Sequence, residues 1–185
     1  MYLPVISTDL LTLRPVEDSD AAALFRHFSD QAVTRFMDID AFTHISEATQ
    51  IIAFFRESLE KQDGMRWAIT FRGERELIGT CGFHNWKKNH FKAEIGYDLQ
   101  PSLWGKGIMT EAITALLSYG FNEMQLNRVE AFVDPLNVAS ARLLGKLGFS
   151  LEGLLRDAFF EKGKFVDAEI YSLLKQEHAR EAIWQ

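Results

Sequence analysis

The sequence is short of several things, and each shortage excludes something. Its 185 residues include one cysteine, Cys81. A single thiol cannot close an internal disulfide, and no metal-type spacing of cysteine or histidine surrounds it. A reducing compartment is the natural setting, so the expected location is cytoplasmic. Cys81 sits in the apolar run LIGTCGF and reads as a small core residue. Proline numbers only four, and no Pro/Gly/Ser-rich linker, repeat or low-complexity tract divides the chain. One domain over 1–185 is therefore expected. Positive charge is scarce: 20 Lys+Arg against 26 Asp+Glu leave a net −6. That balance supplies neither the basic footprint that nucleic-acid phosphates require nor a polybasic membrane patch. Long apolar runs are missing too, so no segment reads as transmembrane. The opening MYLPVISTDLLTLRP lacks the basic start and apolar core of a signal peptide. Neither nucleic acid nor membrane is expected as a partner.

What is present is apolar mass in periodic order. Hydrophobic residues make up 47 % of the chain, with fifteen Phe and four Trp. Leu11, Leu13 and Pro15 alternate with Thr12 and Arg14, which predicts a strand near 10–16. Glu17 to Asp20 supplies cap and first-turn acids for a helix through about Phe28, with Ala22, Leu24, Phe25 and Phe28 as its stripe. Ser46-Glu47 opens a second helix, with Ile51, Ile52, Phe54, Phe55 and Leu59 facing inward. Strands follow at 66–71, 77–83 and 91–99, joined by the polar turns RGERE and NWKKNH. A helix then runs to about Asn122, with Ile108, Ala112, Ile113, Leu116 and Tyr119 on its apolar face. A strand at 128–134, a short helix at 137–147 and two strands at 150–160 and 164–174 complete the chain. Hairpin-joined strands followed by β-α-β units imply a mixed, twisted sheet with helices on both faces.

The stretch LQPSLWGKGIMTEA, residues 99–112, places two glycines where a long helix begins. Glycine there costs stability unless the backbone needs a special shape. A strand, a glycine turn and a helix N-terminus together make an anion site, because first-turn N–H groups and the helix dipole point outward. Gly105 and Gly107 then read as a phosphate cradle, with the Thr110 hydroxyl added in the first turn. The alternative is an ordinary loop with Gly107 at the helix cap. Neither dominant nucleotide motif fits: GxxxxGK[ST] is absent, and Thr110 stands where GxGxxG needs its third glycine.

The segment resembles the acetyl-CoA pyrophosphate loop of the GNAT superfamily of N-acetyltransferases, [QR]xxGx[GA]. Its six positions are Trp104, Gly105, Lys106, Gly107, Ile108 and Met109. Trp104 replaces Gln/Arg, and Met109 replaces Gly/Ala. Four further stretches resemble the RimJ/RimL-like branch, which acetylates ribosomal-protein N-termini. They are TDLLTLRPVEDSDAAALF, AEIGYDLQPSLWGKGIMTEA, NRVEAFVDPLNVASARLLGKLGFSLEG and LLRDAFFEKGKFVDAEIYSLL. The similarity runs through nearly the whole chain in order.

The resemblance implies an α/β (α+β) GNAT fold: a mostly antiparallel sheet of about seven strands, the fourth splayed from the fifth. The pantetheine arm of acetyl-CoA would lie in that gap, pairing with backbone near Tyr97, Asp98 and Leu99. The Leu99 N–H would polarise the thioester carbonyl, and the amine would attack without a covalent enzyme intermediate. Asn137 would contact the pantetheine arm and Ser140 the region of the sulfur, where Ser140 or a water would be the general acid. Leu144 stands where many relatives carry a tyrosine acid, and Phe159 where some carry a glutamate. The plainer reading of Asn137 and Ser140 is helix capping.

Glu94, Gly96 and Asp98 share one strand face by alternation. Glu94 is the first candidate base and Asp98 the second; the alternative for each is a structural ion pair or a solvent-facing carboxylate. Glu161 reads as a solvated hairpin end. His84, Trp86 and Phe36 are the expected substrate-cleft residues, with Met37 beside Phe36. The loop Lys87, Lys88, His90 and Lys92 reads as a solvated turn, and Glu111 as a first-turn acid. No metal is implied. The acceptor would be a primary amine, either a peptide N-terminus or a small molecule. A CoA-binding module with little catalysis is the competing reading. A homodimer is a further expectation of the resemblance.

Overall fold

The computed structural model describes residues 2–181. Eight strands form one sheet: β1 (Ile6–Ser7), β2 (Leu11–Pro15), β3 (Met65–Phe71), β4 (Gly79–Lys87), β5 (Lys92–Leu99), β6 (Arg128–Val133), β7 (Ser150–Glu161) and β8 (Lys164–Leu174). Their order across the sheet is β1-β2-β3-β4-β5-β6-β8-β7. Every neighbouring pair is antiparallel except β5 with β6. The helices are α1 (Ala21–Phe28), α2 (Gln31–Thr34), α3 (Ile45–Glu60), α4 (Ile108–Asn122), α5 (Val138–Lys146) and α6 (Lys175–Glu181).

Strand alternation sorts the apolar residues into two layers. Trp67 and Ile69 of β3 join α4 and Leu144 of α5 in the larger cluster. Ala68 of the same strand faces the other way, into a cluster with Leu24 and Phe28 of α1 and Ala48 and Ile52 of α3. The helices thus cover both faces of the sheet, as the sequence predicts.

Several local expectations change. β1 has only two residues and α2 four, too short for any periodic signal. α6 is polar and was not expected. β4 continues to Lys87 across an irregularity between His84 and Lys87, so the expected turn is narrower. The cap of α3 is His44, whose Nδ1 accepts the Ser46 N–H, while Glu47 completes the capping box. Phe54, expected inside, is 61 % exposed, because the buried stripe of α3 runs through Ala48 and Ile52.

The feature that shapes the site is the β5–β6 seam. Parallel pairing covers only Lys92↔Arg128, Ala93↔Val129 and Glu94↔Glu130. Beyond Glu94, β5 keeps its partner β4 as far as Leu99, while β6, paired with β8 along its whole length, continues without β5. A gap opens in the middle of the sheet.

Candidate active site

The gap has a defined chemistry. In an antiparallel pair, the N–H and C=O of one residue point to the same side, and successive residues alternate. The Gln100 N–H bonds Ile78 O on the β4 side, at 2.9 Å. The N–H groups of Leu99 and Tyr97 therefore point the other way, toward the side β6 has left. The Leu99 carbonyl on that side accepts the Trp104 indole N–H at 2.7 Å. Trp104, at the position where Gln/Arg was expected, is thus tied to the strand whose edge forms the gap.

Two cavities meet here, of about 440 and 630 Å³. The larger runs along the start of α4 and is lined by Trp104, Gly105, Gly107, Ile108, Met109 and Thr110, among others. Gly105 and Gly107 have φ of +72° and +81°, which L side chains rarely adopt. An added Cβ at either would meet nothing within 4 Å. The backbone there borders open space, so the glycines serve conformation and access rather than packing. Gly107 is the N-cap of α4, whose first-turn N–H groups and dipole favour an anion. Arg35, Arg142 and Lys146 also line this cavity, cations that the spacing of the sequence did not signal. This donor set fits the pyrophosphate and phosphates of CoA. Lys106 is exposed and does not contribute to the lining. Met109 is 8 % exposed and packs into the larger core cluster while still forming part of the cavity wall. Glu111 turns away from the cavity to accept from Thr8 Oγ1 at 2.5 Å and Leu10 N at 2.9 Å.

The smaller cavity is acidic. Asp38, Glu94, Asp134, Glu161 and Asp167 line it, against Arg66 and His84. Glu161 is therefore a wall residue and not merely a solvated hairpin end. Burial pushes its pKa up, and the like charges of Asp38 and Asp134 push it further. Glu94 sits opposite His84 across the β4–β5 ladder, with Oε2 3.2 Å from His84 Nε2. Phe36 and Met37 line both cavities, and Phe159 lines the acidic one.

Two expectations fail on geometry. Trp86 lines neither cavity; it packs against the larger core cluster, with Lys88 Nζ 4.4 Å from its ring centroid. The irregularity in β4 just after His84 separates the two residues. Asp98 cannot serve as a base, because it is buried and saturated with donors. It accepts from His27 Nε2 at 2.6 Å, Thr80 N at 2.9 Å, Thr80 Oγ1 at 2.6 Å and Arg66 Nη2 at 2.5 Å. Burial pushes its pKa up, but the His27 hydrogen bond, the Arg66 charge and the Thr80 hydroxyl outweigh that and hold it at about 2. It anchors β5 where the strand has lost β6. His27, Arg66 and Thr80 were missed because only the fold brings them to Asp98.

Asn137 and Ser140 meet both of their readings. Asn137 Oδ1 caps α5 by accepting the Ser140 N–H at 3.2 Å, and both residues line both cavities. The Ser140 hydroxyl also lies 2.7 Å from the Tyr97 hydroxyl. Leu144 is fully buried in the core. Among the described residues, no cluster of metal-binding side chains occurs and no helix is long and apolar enough to cross a membrane.

Comparison with known proteins agrees with this architecture. A family model described as an acetyltransferase (GNAT) domain matches residues 11–150. An uncharacterised N-acetyltransferase p20 of Bacillus licheniformis is 44 % identical over 178 residues, covering 96 % of this chain and 99 % of that protein. The [ribosomal protein uS5]-alanine N-acetyltransferase of Escherichia coli is 27 % identical over 91 % of this chain and 89 % of its own. The structure of Mycobacterium smegmatis RimJ in complex with CoA-disulfide superposes with a TM-score of 0.85 and 26 % identity, over 94 % of this chain and 88 % of that one. A split sheet, an open glycine turn at a helix N-terminus and a family match over most of the chain converge: the protein belongs to the GNAT family and is an acetyl-CoA-dependent N-acetyltransferase.

Proposed function

We propose that this enzyme acetylates the α-amine of a peptide or protein N-terminus. The observation that carries the reading is the charge of the smaller cavity, whose wall includes Asp38, Glu94, Asp134, Glu161 and Asp167. Such a chamber draws an ammonium group. An ammonium must lose a proton before its nitrogen can attack, and an α-amine, with a pKa of about 8, loses it more readily than a lysine side chain at about 10.4. Glu94 is the base in this reading, directly or through a water, with His84 beside it. Bound acetyl-CoA supplies the activated acetyl group. The first turn of α4 holds its pyrophosphate, and the Leu99 N–H in the gap holds the carbonyl oxygen as negative charge develops. The uS5-alanine acetyltransferase among the relatives supports an N-terminal acceptor. The same carboxylates also favour a second reading, in which the acceptor is a small cationic amine.

The proposal places the whole activity in one domain, 1–185, working in a reducing cytoplasm as a homodimer. Exposed Leu154, Phe160 and Phe165 on the β7–β8 hairpin support self-association, and light scattering that gives a single 21.2 kDa species would remove that part.

The test is CoA release from acetyl-CoA with a panel of N-terminal peptides and small amines, with CoA binding measured calorimetrically in parallel. Turnover with peptides is the expected result, and turnover with small amines alone selects the second reading. CoA binding without any turnover means a CoA-binding module and refutes the enzymatic acceptor reading. Glu94→Gln is expected to lower kcat by about 10²-fold or more with CoA affinity unchanged. An unmoved pH–rate profile in that variant rejects Glu94 as the base.

A further inference from the structure

Arg66 lines the acidic cavity, yet its side chain starts on β3, with β4 standing between it and β5. The register of the sheet explains the reach. Arg66 is paired with Gly82 of β4, and Gly82 with Gly96 of β5. Alternation places Arg66, Thr80, His84, Glu94 and Asp98 on one face of these strands. The row through Gly82 and Gly96 carries no side chain after the arginine, so the guanidinium can cross it. Arg66 Nε donates to Thr80 Oγ1 of β4 at 2.8 Å, and Nη2 donates to Asp98 Oδ2 of β5 at 2.5 Å. The Phe55 ring of α3 has its centroid 5.7 Å from Cζ.

Nη1 is left over. Among the described residues it has no hydrogen-bond partner. A Cβ at position 96 would stand 3.1 Å from Arg66 Nη1 and 3.3 Å from His84 Cε1. Glycine there leaves room for the two side chains to come together over β5. His84 Nε2 in turn lies 3.2 Å from Glu94 Oε2. A donor with spare N–H groups and the Glu94–His84 pair therefore share one stretch of cavity wall.

The charge of the wall narrows what Nη1 can receive. The buried Asp98 carboxylate already neutralises Arg66. Asp38, Glu94, Asp134, Glu161 and Asp167 surround the rest of the space and repel a second anion. A neutral carbonyl oxygen accepts the N–H without that repulsion. At a peptide N-terminus such an oxygen sits on the carbon next to the one that bears the amine. A polyamine has no oxygen to offer, and a free amino acid offers a carboxylate.

We propose that Arg66 is a specificity residue whose Nη1 donates to the carbonyl oxygen of the acceptor's first residue while the amine is held beside Glu94 and His84. Asp98 and Thr80 are its positioning residues. This role rests on the N-terminal reading of the acceptor and names the wall residue that enforces it.

The test gives wild type and Arg66→Lys the fastest peptide of the panel and the same peptide with its first carbonyl oxygen replaced by sulfur. The thioamide keeps shape and charge but accepts a hydrogen bond weakly. Wild type should prefer the oxygen peptide in kcat/KM by about tenfold or more, the scale of one charge-assisted hydrogen bond. Lysine keeps a cation beside Asp98 but has no second nitrogen to hold over Gly96. In Arg66→Lys the preference should shrink below about twofold, with the calorimetric Kd for CoA unchanged within the same factor. Circular dichroism checks that the variant folds. Should it not, Gly96→Ala takes its place: its methyl group displaces Nη1 with both charges of the pair retained, and the preference should again fall. Peptide turnover with no oxygen preference in wild type overturns the role of Arg66 alone. So does a preference that persists at wild-type size in the folded variant. Turnover of small amines and of no peptide overturns the N-terminal reading, and the role of Arg66 with it.

Discussion

Replacing Asp98 by Asn should destabilise the protein more than almost any other isosteric change in it. The carboxylate accepts four hydrogen bonds, from His27 Nε2, Thr80 N, Thr80 Oγ1 and Arg66 Nη2. An amide offers one oxygen in place of two and turns an N–H₂ group toward donors. At least one donor is then orphaned, and the Arg66 charge loses its counter-ion. Removing one partner of a buried ion pair costs about 3–5 kcal/mol. For a domain of this size each kcal/mol lowers the melting temperature by roughly 2–4 °C, so a drop of about 6–20 °C at pH 7 is expected. The pH dependence provides an independent check. The folded carboxyl is held at about 2 against an ordinary value of 3.8, so the unfolded chain binds more protons between those values. The stability the carboxylate contributes is complete above about pH 4 and is lost as pH falls toward 2. At about 1.36 kcal/mol per unit the gap corresponds to roughly 2–3 kcal/mol. Thermal melts of both proteins from pH 2 to 7 should show the difference between them narrowing below pH 4. A difference under about 1 kcal/mol at pH 7, or one equally large at pH 2.5, would refute the reasoning.

Two further outcomes follow from the same geometry. Gly107→Ala forces a side chain onto a φ of +81° but meets no neighbour within 4 Å, so its folding cost should be about 1–2 kcal/mol. The methyl group would stand in the cradle, and KM for acetyl-CoA should rise about tenfold, equivalent to 1.4 kcal/mol; an unchanged KM contradicts the pyrophosphate assignment. Burial pushes the Cys81 thiol up to about 12, so iodoacetamide at pH 8 should leave the native protein unlabelled and label it fully in denaturant, as mass spectrometry would show. Rapid native labelling would mean that the β3–β4 region opens readily.

Much of this was legible in the chain because it is written in local spacing. Alternation at Leu11 and Leu13 and the helical stripe at Ile108, Ala112, Ile113 and Leu116 produced their elements directly. Gly105 and Gly107 marked the cradle because positive φ is a local demand that glycine meets. Local pattern was least informative for very short elements such as β1 and α2, and for the outward turn of Phe54.

The acceptor side was less legible for a physical reason. Asp38, Asp134, Glu161 and Asp167 look like scattered surface acids until β6, β7, β8 and the segment after α2 converge on one cavity. Asp98 reads as a strand-face carboxylate available for catalysis, and only the packing of α1 against the sheet brings His27 to it. The pairing of Tyr97 with Ser140 joins residues 43 positions apart, which no spacing rule reaches. The sequence by itself determined the strands, the helices and the backbone anion site, because those depend on neighbours along the chain. The tertiary structure decided which carboxylates are buried as anchors, which face the amine and which hydroxyls meet, because charge and proton transfer depend on distance in space.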